Sequence, residues 1–267
     1  QLLASTDFCP SMEDECGETP LHIACSAGHI EIVRLLLADP RTNPDATNDD
    51  GLNALYNACN AGQSEIVKIL LEDGRSNPNI QDEEEKRTPL HAACKNDDQD
   101  IVALLLADDR VDTGLAEEFG NTPLHEACQN GKIEIIKMLL ANNKIDLNRK
   151  NAESETPLHE ACSRGHTEVV KLLLDDIRID PNLEDEDGDT PMESARSYSH
   201  KNIFDLMQKS PRVRIKEEED DDDKPEEIEP AGSPGLLTPQ KKERPTLRSF
   251  FSIKNLLRGK KSSTKES

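Results

Sequence analysis

The sequence predicts an all-α solenoid of helix-turn-helix units with projecting loops, followed by a disordered C-terminal tail. The main observation is a motif, Thr-Pro-Leu-His, that returns intact or degraded with successive starts 34 or 35 residues apart. A fixed period of this length indicates a stack of supersecondary units. Aromatic residues make up only 3% of the chain, which fits small aliphatic layers between neighbouring units. The six starts are Thr19, Asn53, Thr88, Thr122, Thr156 and Thr190.

The first helix of each unit is predicted to be short. In the first full copy, Thr19 can cap the helix, and Pro20 lacks only an N–H that the first turn does not use. Gly28 ends this helix, since the residue after a C-cap often adopts a positive φ. The unit that starts at Asn53 is expected to lack both the cap and the proline.

The second helix is predicted over Ile30–Ala38. Its apolar set is too broad for one buried stripe, so we expect it to be sandwiched between two neighbouring units. That set comprises Ile32, Val33, Leu35, Leu36 and Leu37. Glu31 can pair with Arg34 on a solvated edge, and the pair recurs in three later units. Proline, asparagine and glycine residues after this helix supply turn chemistry for a projecting loop.

Five of the seven cysteines occupy one position of the repeat, on the apolar face of the first helix. We expect buried, reduced thiols there, typical of an intracellular protein. Between the two reducing compartments, we expect the cytoplasm rather than the nucleus. The His-x-x-Cys pairs could in principle hold zinc or form a nucleophile–base pair. Because the pair recurs four times, packing is the better interpretation. These cysteines are Cys25, Cys59, Cys94, Cys128 and Cys162.

Charge divides the chain into two parts. Residues 1–210 hold 19 Lys and Arg against 42 Asp and Glu, whereas the last 57 residues are nearly balanced. An acidic stack should repel nucleic-acid phosphates, so no nucleic acid is expected on the repeats. No apolar run approaches the roughly 20 residues that span a bilayer.

Residues 1–210 resemble the ankyrin repeat family. The matching residues are the T-P-L-H-x-A-C run of residues 19–25, the Gly28-His29 pair and the apolar helix at 31–37. The resemblance implies antiparallel helix pairs with β-hairpin-like loops at about a right angle, and binding of other proteins along a concave groove. It also implies that the motif histidine bonds within and between units and that the motif cysteine packs in the core.

The predicted domain organisation has five parts. Residues 1–18 form an incomplete upstream repeat and 19–186 form five ankyrin-like repeats. A more polar sixth unit at 187–210 is expected to cap the stack. Residues 211–239 are an acidic, proline-rich linker and 240–267 a basic amphipathic tail.

The register of the units identifies candidate groove residues at the loop tips and at the edge of the first helices. Acidic side chains dominate, which favours a basic protein partner. Phe119 is the one aromatic side chain at a tip, either an interface anchor or a scattered apolar surface residue. The candidates are Asp49, Asp50, Leu52, Glu84, Glu85, Arg87, Lys95, Glu118, Phe119, Asn121, Gln129, Glu153, Glu155 and Arg164.

The tail carries two kinds of signal. Lys216 resembles an acceptor for a small ubiquitin-like modifier, and Ser233 and Thr238 resemble proline-directed kinase sites; the alternative is an unmodified linker. Further on, a basic amphipathic helix could bind an anionic membrane, a helix-binding partner or the acidic repeats, or remain disordered. Its apolar residues are Leu247, Phe250, Phe251 and Leu257.

These patterns favour a monomeric, non-catalytic scaffold or adaptor that needs no cofactor. The sequence contains no Gly-rich phosphate loop, nucleophile elbow or kinase motif. Two alternatives remain: a recognition module of a larger enzyme, such as a ubiquitin ligase or a kinase, and a nuclear regulatory protein.

Overall fold

A computed structural model describes residues 9–215 as part of one compact body. Within that range the regular secondary structure consists of twelve α-helices and no strand. The helices form six pairs, called here units 1 to 6. The first helices are α1 (Pro20–Ser26), α3 (Ala54–Asn60), α5 (Pro89–Asn96), α7 (Pro123–Gln129), α9 (Pro157–Ser163) and α11 (Pro191–Ser197). The second helices are α2 (Ile30–Ala38), α4 (Ser64–Asp73), α6 (Gln99–Ala107), α8 (Ile133–Ala141), α10 (Thr167–Asp175) and α12 (Lys201–Gln208).

The helix ends follow from local sequence. Thr19 precedes Pro20 in an extended conformation and forms a capping box. Unit 2 keeps a cap after all, since the side chain of Asn53 accepts the Tyr56 N–H at 3.0 Å; the expected loss of the cap there was wrong because Asn caps helices as well as Thr does. Gly28 has φ +76° after α1. Asp97 adopts the same left-handed conformation after α5, at φ 67°.

The core is a row of aliphatic layers between neighbouring units, with the repeated cysteine at its centre. All five repeated cysteines are free and buried. Burial raises the pKa of the Cys25 thiol to about 12. The thiols therefore pack as small hydrophobic groups, as the sequence predicted.

The broad apolar face of α2, which the sequence predicted to be buried, is partly exposed to solvent. Ile32 and Leu35 of α2 are 46% and 56% exposed, so the broad buried face expected for α2 was wrong for these two residues. The residues at the position of Ile32 in units 2 to 6 are at most 1% exposed. Each of them packs on a preceding unit, and the described part of the chain holds no unit before unit 1. Those residues are Ile66, Ile101, Ile135, Val169 and Ile203.

The ion pairs along the second helices follow the prediction in part. Lys137 and Lys171 pair with glutamates three residues earlier, at 2.7 Å and 2.9 Å. Arg34 instead crosses to the next unit and pairs with Glu65, at 3.1 Å. These pairs are half exposed and add little stability.

Packing continues past residue 210, where the sequence analysis began the linker. The guanidinium of Arg212 donates to the carbonyl oxygen of Leu174 at 2.7 Å, and Val213 packs against the core. The signals predicted at Lys216, Ser233 and Thr238, and the amphipathic segment of Leu247, Phe250, Phe251 and Leu257, lie outside the described residues. None of the helices within 9–215 is both long and apolar enough to cross a bilayer.

Candidate partner-binding groove

In units 1, 3, 4 and 5, a buried histidine joins the first helix to the loop of the next unit. In unit 1, His22 Nδ1 accepts the backbone N–H of Thr19 at 3.1 Å, and Nε2 donates to the carbonyl oxygen of Leu52 at 3.0 Å. This assigns the ring proton to Nε2. His91, His125 and His159 repeat the arrangement with the carbonyls of Asn121, Glu155 and Asp189.

Unit 2 replaces this histidine with Tyr56, whose hydroxyl donates to the Asp82 carboxylate at 3.4 Å. The tyrosine thus also bonds to the next loop, but its acceptor is a side-chain carboxylate, whereas the histidines use backbone carbonyl oxygens. Burial lowers the pKa of His91, His125 and His159 to about 4, so these rings are neutral near pH 7. Both nitrogens of each ring are occupied by structural hydrogen bonds. Within 9–215 no group of three or more His, Cys, Asp or Glu side chains has the arrangement of a metal site.

The six loops form a continuous row, called here the loop strip: residues 14–18, 48–52, 82–87, 117–121, 151–155 and 185–189. Each loop after the first donates one backbone N–H to a carbonyl oxygen of the loop before it. Glu118 N donates to Glu85 O at 2.7 Å, and Ala152 N to Phe119 O at 2.8 Å. The five bonds hold neighbouring loop tips in a fixed register.

A side chain at the start of each loop fixes the tip. In the fourth loop, Glu117 Oε1 accepts the N–H groups of Phe119 and Asn121, at 3.0 Å and 3.1 Å. Asn151 and Asp185 do the same in the fifth and sixth loops. For Asn151 and Asp185 this is the chemistry of an Asx-turn.

The loop strip is acidic along its whole length, because each of the six loops carries a net negative charge. Among the sequence-predicted groove residues, four acidic side chains are exposed at the tips: Asp49, Asp50, Glu84 and Glu118. Partly buried are Leu52, Glu85, Arg87, Phe119, Gln129, Glu153 and Glu155. Phe119 is thus half-buried instead of freely exposed.

Two of the residues predicted to line the groove, Asn121 and Arg164, occupy positions other than those expected. Asn121 is 5% exposed, and its side-chain oxygen accepts a hydrogen bond from the Asn151 amide at 2.9 Å; it holds the loops together. Arg164 is the C-cap of α9, one position beyond Gln129 in the repeat, where Ser163 is the equivalent residue. Arg164 is exposed, as is Lys95 of α5.

Sequence reasoning missed an aromatic residue at the end of the groove. Tyr198, the C-cap of α11, is 59% exposed. Partial burial and the carboxylates of Glu155 and Glu153 raise the pKa of its phenol, against the opposite effect of Arg164. The signal that could have found it is its register, since Tyr198 follows Arg164 by one period of 34 residues.

Sequence reasoning also missed two glutamates on the floor of the groove. Glu126 of α7 and Glu160 of α9 are 6% and 1% exposed. Arg87 lies 3.9 Å from Glu126, and Arg164 lies 3.9 Å from Glu160. Both glutamates are therefore buried and lie near arginines, so the carboxylates that the groove exposes are those of the loop tips.

Comparison with protein-family models identifies the units. A model of ankyrin repeats (three copies) matches residues 1–82 and 74–151, and a model of ankyrin repeats (many copies) matches residues 140–195. No curated protein is similar enough to the chain to count as a match. Ankyrin repeats generally bind other proteins and are typically non-catalytic. With its six helix pairs, linked loops and these two matches, the chain belongs to the ankyrin repeat family.

Proposed function

We propose that this chain is a non-catalytic adaptor that binds a basic segment of another protein along the loop strip. The observation that supports it is the charge of the strip: every loop is net negative, and five of the six loops carry exposed carboxylates. Opposite charges on two surfaces accelerate encounter and select the partner more than they add affinity. Anionic ligands, nucleic acids included, are disfavoured by the same field.

Apolar contacts supply the affinity that charge does not. Tyr198 and Phe119 are aromatic side chains beside the loop strip that are not fully buried, and aromatic residues are enriched at interface hot spots. An amine or guanidinium placed over the Tyr198 ring would also meet Glu153 and Glu155. We therefore expect the partner to alternate basic and apolar residues.

The remaining features of the stack agree with this role. Both nitrogens of the repeated histidines form structural hydrogen bonds, and the repeated thiols are buried, so neither set is available for chemistry. Free buried cysteines favour a reducing compartment, and we place the protein in the cytoplasm. We propose that the adaptor acts as a monomer, since all six described loops of the strip lie in one chain.

The test is a matched pair of charge reversals in the full chain. The loop variant carries Glu118→Lys and Asp50→Lys; the control carries Glu31→Lys and Glu72→Lys, which change the net charge equally but lie on the exposed sides of α2 and α4. The probe is a peptide library that alternates Lys or Arg with apolar residues, measured by fluorescence anisotropy at two salt concentrations.

The loop variant should lose at least tenfold in affinity while the control keeps the affinity of the original chain. Binding of the original chain should also weaken with added salt. Equal affinities of the two variants, or equal binding of a charge-neutral library, would contradict the proposal.

A further inference from the structure

On the face opposite the groove, a guanidinium ties units 2, 3, 5 and 6 to the unit before each of them. Arg75, in the turn after α4, donates to the carbonyl oxygen of Leu37 at 2.8 Å. This oxygen lies in the last turn of α2, where helix carbonyls lack intrahelical partners and a cation is favourable. The same bond is made by Arg110 to Leu71, Arg178 to Leu140 and Arg212 to Leu174, at 3.1, 2.6 and 2.7 Å.

The junction between units 3 and 4 lacks this connection. Lys144 stands where the other units have arginine, and its ammonium pairs with Asp109 at 2.7 Å. The two side chains are 65% and 95% exposed, a setting in which an ion pair contributes little. Lys144 makes no bond to Leu106, whose carbonyl corresponds to those of Leu71 and Leu140. A point charge on a flexible stem does not replace the planar fork of arginine.

A second connection is missing at the same junction. Asn148, in the turn after α8, bridges to the next unit by donating to Arg178 O at 2.8 Å and accepting from Asp180 N at 2.8 Å. Asn79 and Asn182 make the same two bonds to their next units. Asp45 of unit 1 accepts the corresponding N–H, from Asn77. The equivalent residue in unit 3 is Gly114, which has no side chain to bridge to unit 4.

The groove side of this junction is intact. His91 Nε2 lies 3.0 Å from the carbonyl oxygen of Asn121, and the backbone N–H of Glu118 donates to the carbonyl oxygen of Glu85 at 2.7 Å. The apolar layers also continue through it, since Leu105 and Ile135 are fully buried. The missing connections are therefore confined to the back of the stack.

We infer that the junction of units 3 and 4 is a joint at which the stack opens first, along its back, with the loop strip as the hinge. In a solenoid, stability is a sum of unit terms and nearest-neighbour interface terms, so the interface with the fewest connections separates most often. Such partial opening is the usual form of sub-global unfolding. Opening at the back changes the curvature of the strip between the third and fourth loops. The joint itself does not depend on the proposed function; its effect on a partner that lies across those loops does.

Two double variants test the inference. One restores the missing connections at the junction of units 3 and 4, and the other removes the equivalent connections from the junction of units 2 and 3. The repair variant carries Gly114→Asn and Lys144→Arg. Asn fits, because Gly114 has no positive φ and a Cβ there would meet only Asp112 Oδ1, at 3.4 Å. The copy variant carries Asn79→Gly and Arg110→Lys, which moves the same two changes to the junction of units 2 and 3.

The measurement is amide hydrogen exchange of the full chain, followed by mass spectrometry. It covers the three internal junctions, which lie between units 2 and 3, units 3 and 4, and units 4 and 5. In the original chain the last turns of α6 and α8 should exchange at least tenfold faster than the last turns of α4 and α10. The repair should slow that exchange at least tenfold, and the copy should speed it at α4. Unchanged exchange in the repair variant, or earlier opening at another internal junction in the original chain, would overturn the inference. Both outcomes are independent of whether the basic peptide library binds.

Discussion

His91 Nε2 lies 3.0 Å from the carbonyl oxygen of Asn121, thirty residues away in the next unit. The other ring nitrogen accepts the N–H of Thr88 at 3.2 Å, at the start of the histidine's own helix. One imidazole therefore fixes both the beginning of α5 and the position of the following loop. The geometry of the groove depends on this side chain, although it does not face a partner.

Replacing that histidine should destabilise the stack. His91→Ala leaves the Asn121 carbonyl and the Thr88 N–H without their partner and creates a cavity, so we expect a loss of about 2–4 kcal/mol in the free energy of unfolding. His29→Ala is the control, since His29 is exposed, and it should cost less than about 0.5 kcal/mol. Urea unfolding measures both. A similar loss in the two variants would contradict the structural role of His91.

Acid should destabilise the fold through the buried histidines. The pKa of His91, His125 and His159 is lowered to about 4 by burial, whereas an unfolded histidine titrates near about 6.5. Between these values the unfolded chain binds more protons. The free energy of unfolding should therefore fall as pH drops from about 6.5 to about 4, by about 1.4 kcal/mol per pH unit for each histidine.

Two measurements check this pH dependence. Imidazole resonances of the three histidines should stay those of the neutral ring at pH 5.5, and urea midpoints should fall from pH 7 to pH 5.5. Titration of these rings near pH 6.5 in the folded protein would disprove their burial as neutral groups.

The cysteines should fall into two classes of reactivity. Burial raises the pKa of Cys94, Cys128 and Cys162 above the ordinary value, so the folded protein presents little thiolate there. Cys9 and Cys16 are exposed. A thiol reagent should label these two quickly, although the Asp14 carboxylate raises the pKa of Cys16 and so lowers the thiolate fraction there. Mass spectrometry identifies the labelled sites; in denaturant all seven should react.

Ser199→Gly should stabilise the last unit. Ser199 follows α11 with φ 63°, a left-handed conformation that costs a non-glycine residue about 1 kcal/mol and that glycine adopts without strain. We expect a gain of about 0.5–1 kcal/mol in thermal unfolding. Gly62→Ala is the converse control, since Gly62 has φ +70° and a Cβ there meets no atom closer than 3.6 Å. It should lose a similar amount; a destabilised Ser199→Gly would refute the argument from backbone strain.

The sequence predicted the elements of this fold well because each unit carries its own start and stop signals. The bounds of α2 are those expected from Ile30 to Ala38. Prediction from the sequence failed where a contact depends on a neighbouring unit. Ile32 has the same type of side chain as the buried Ile66, and only the presence of a preceding unit separates them. Arg34 likewise had a local partner within reach but pairs with Glu65 of the next unit.

The groove was less predictable than the helices. Register alone placed the exposed carboxylates Asp50 and Glu118 at the loop tips. Asn121 occupies the same strip, yet its side chain faces Asn151 inside it, and no periodic pattern distinguishes an inward from an outward polar residue. The arginines of the back face were also missed, since their acceptors are backbone carbonyls that leave no trace in the sequence.

The five loop-to-loop bonds of the strip are arranged in series, one at each junction, and this decides how the protein responds to force. Tension along the stack passes through every junction, and within a junction the loop bond shares the load with its neighbours, such as the hydrogen bond from His91 to Asn121. The junction with the weakest set of contacts should therefore yield first. Parallel bonds between two long strands would instead resist together and break together. We therefore expect force to separate the stack junction by junction, with the helix pair of each unit outlasting the contacts between units.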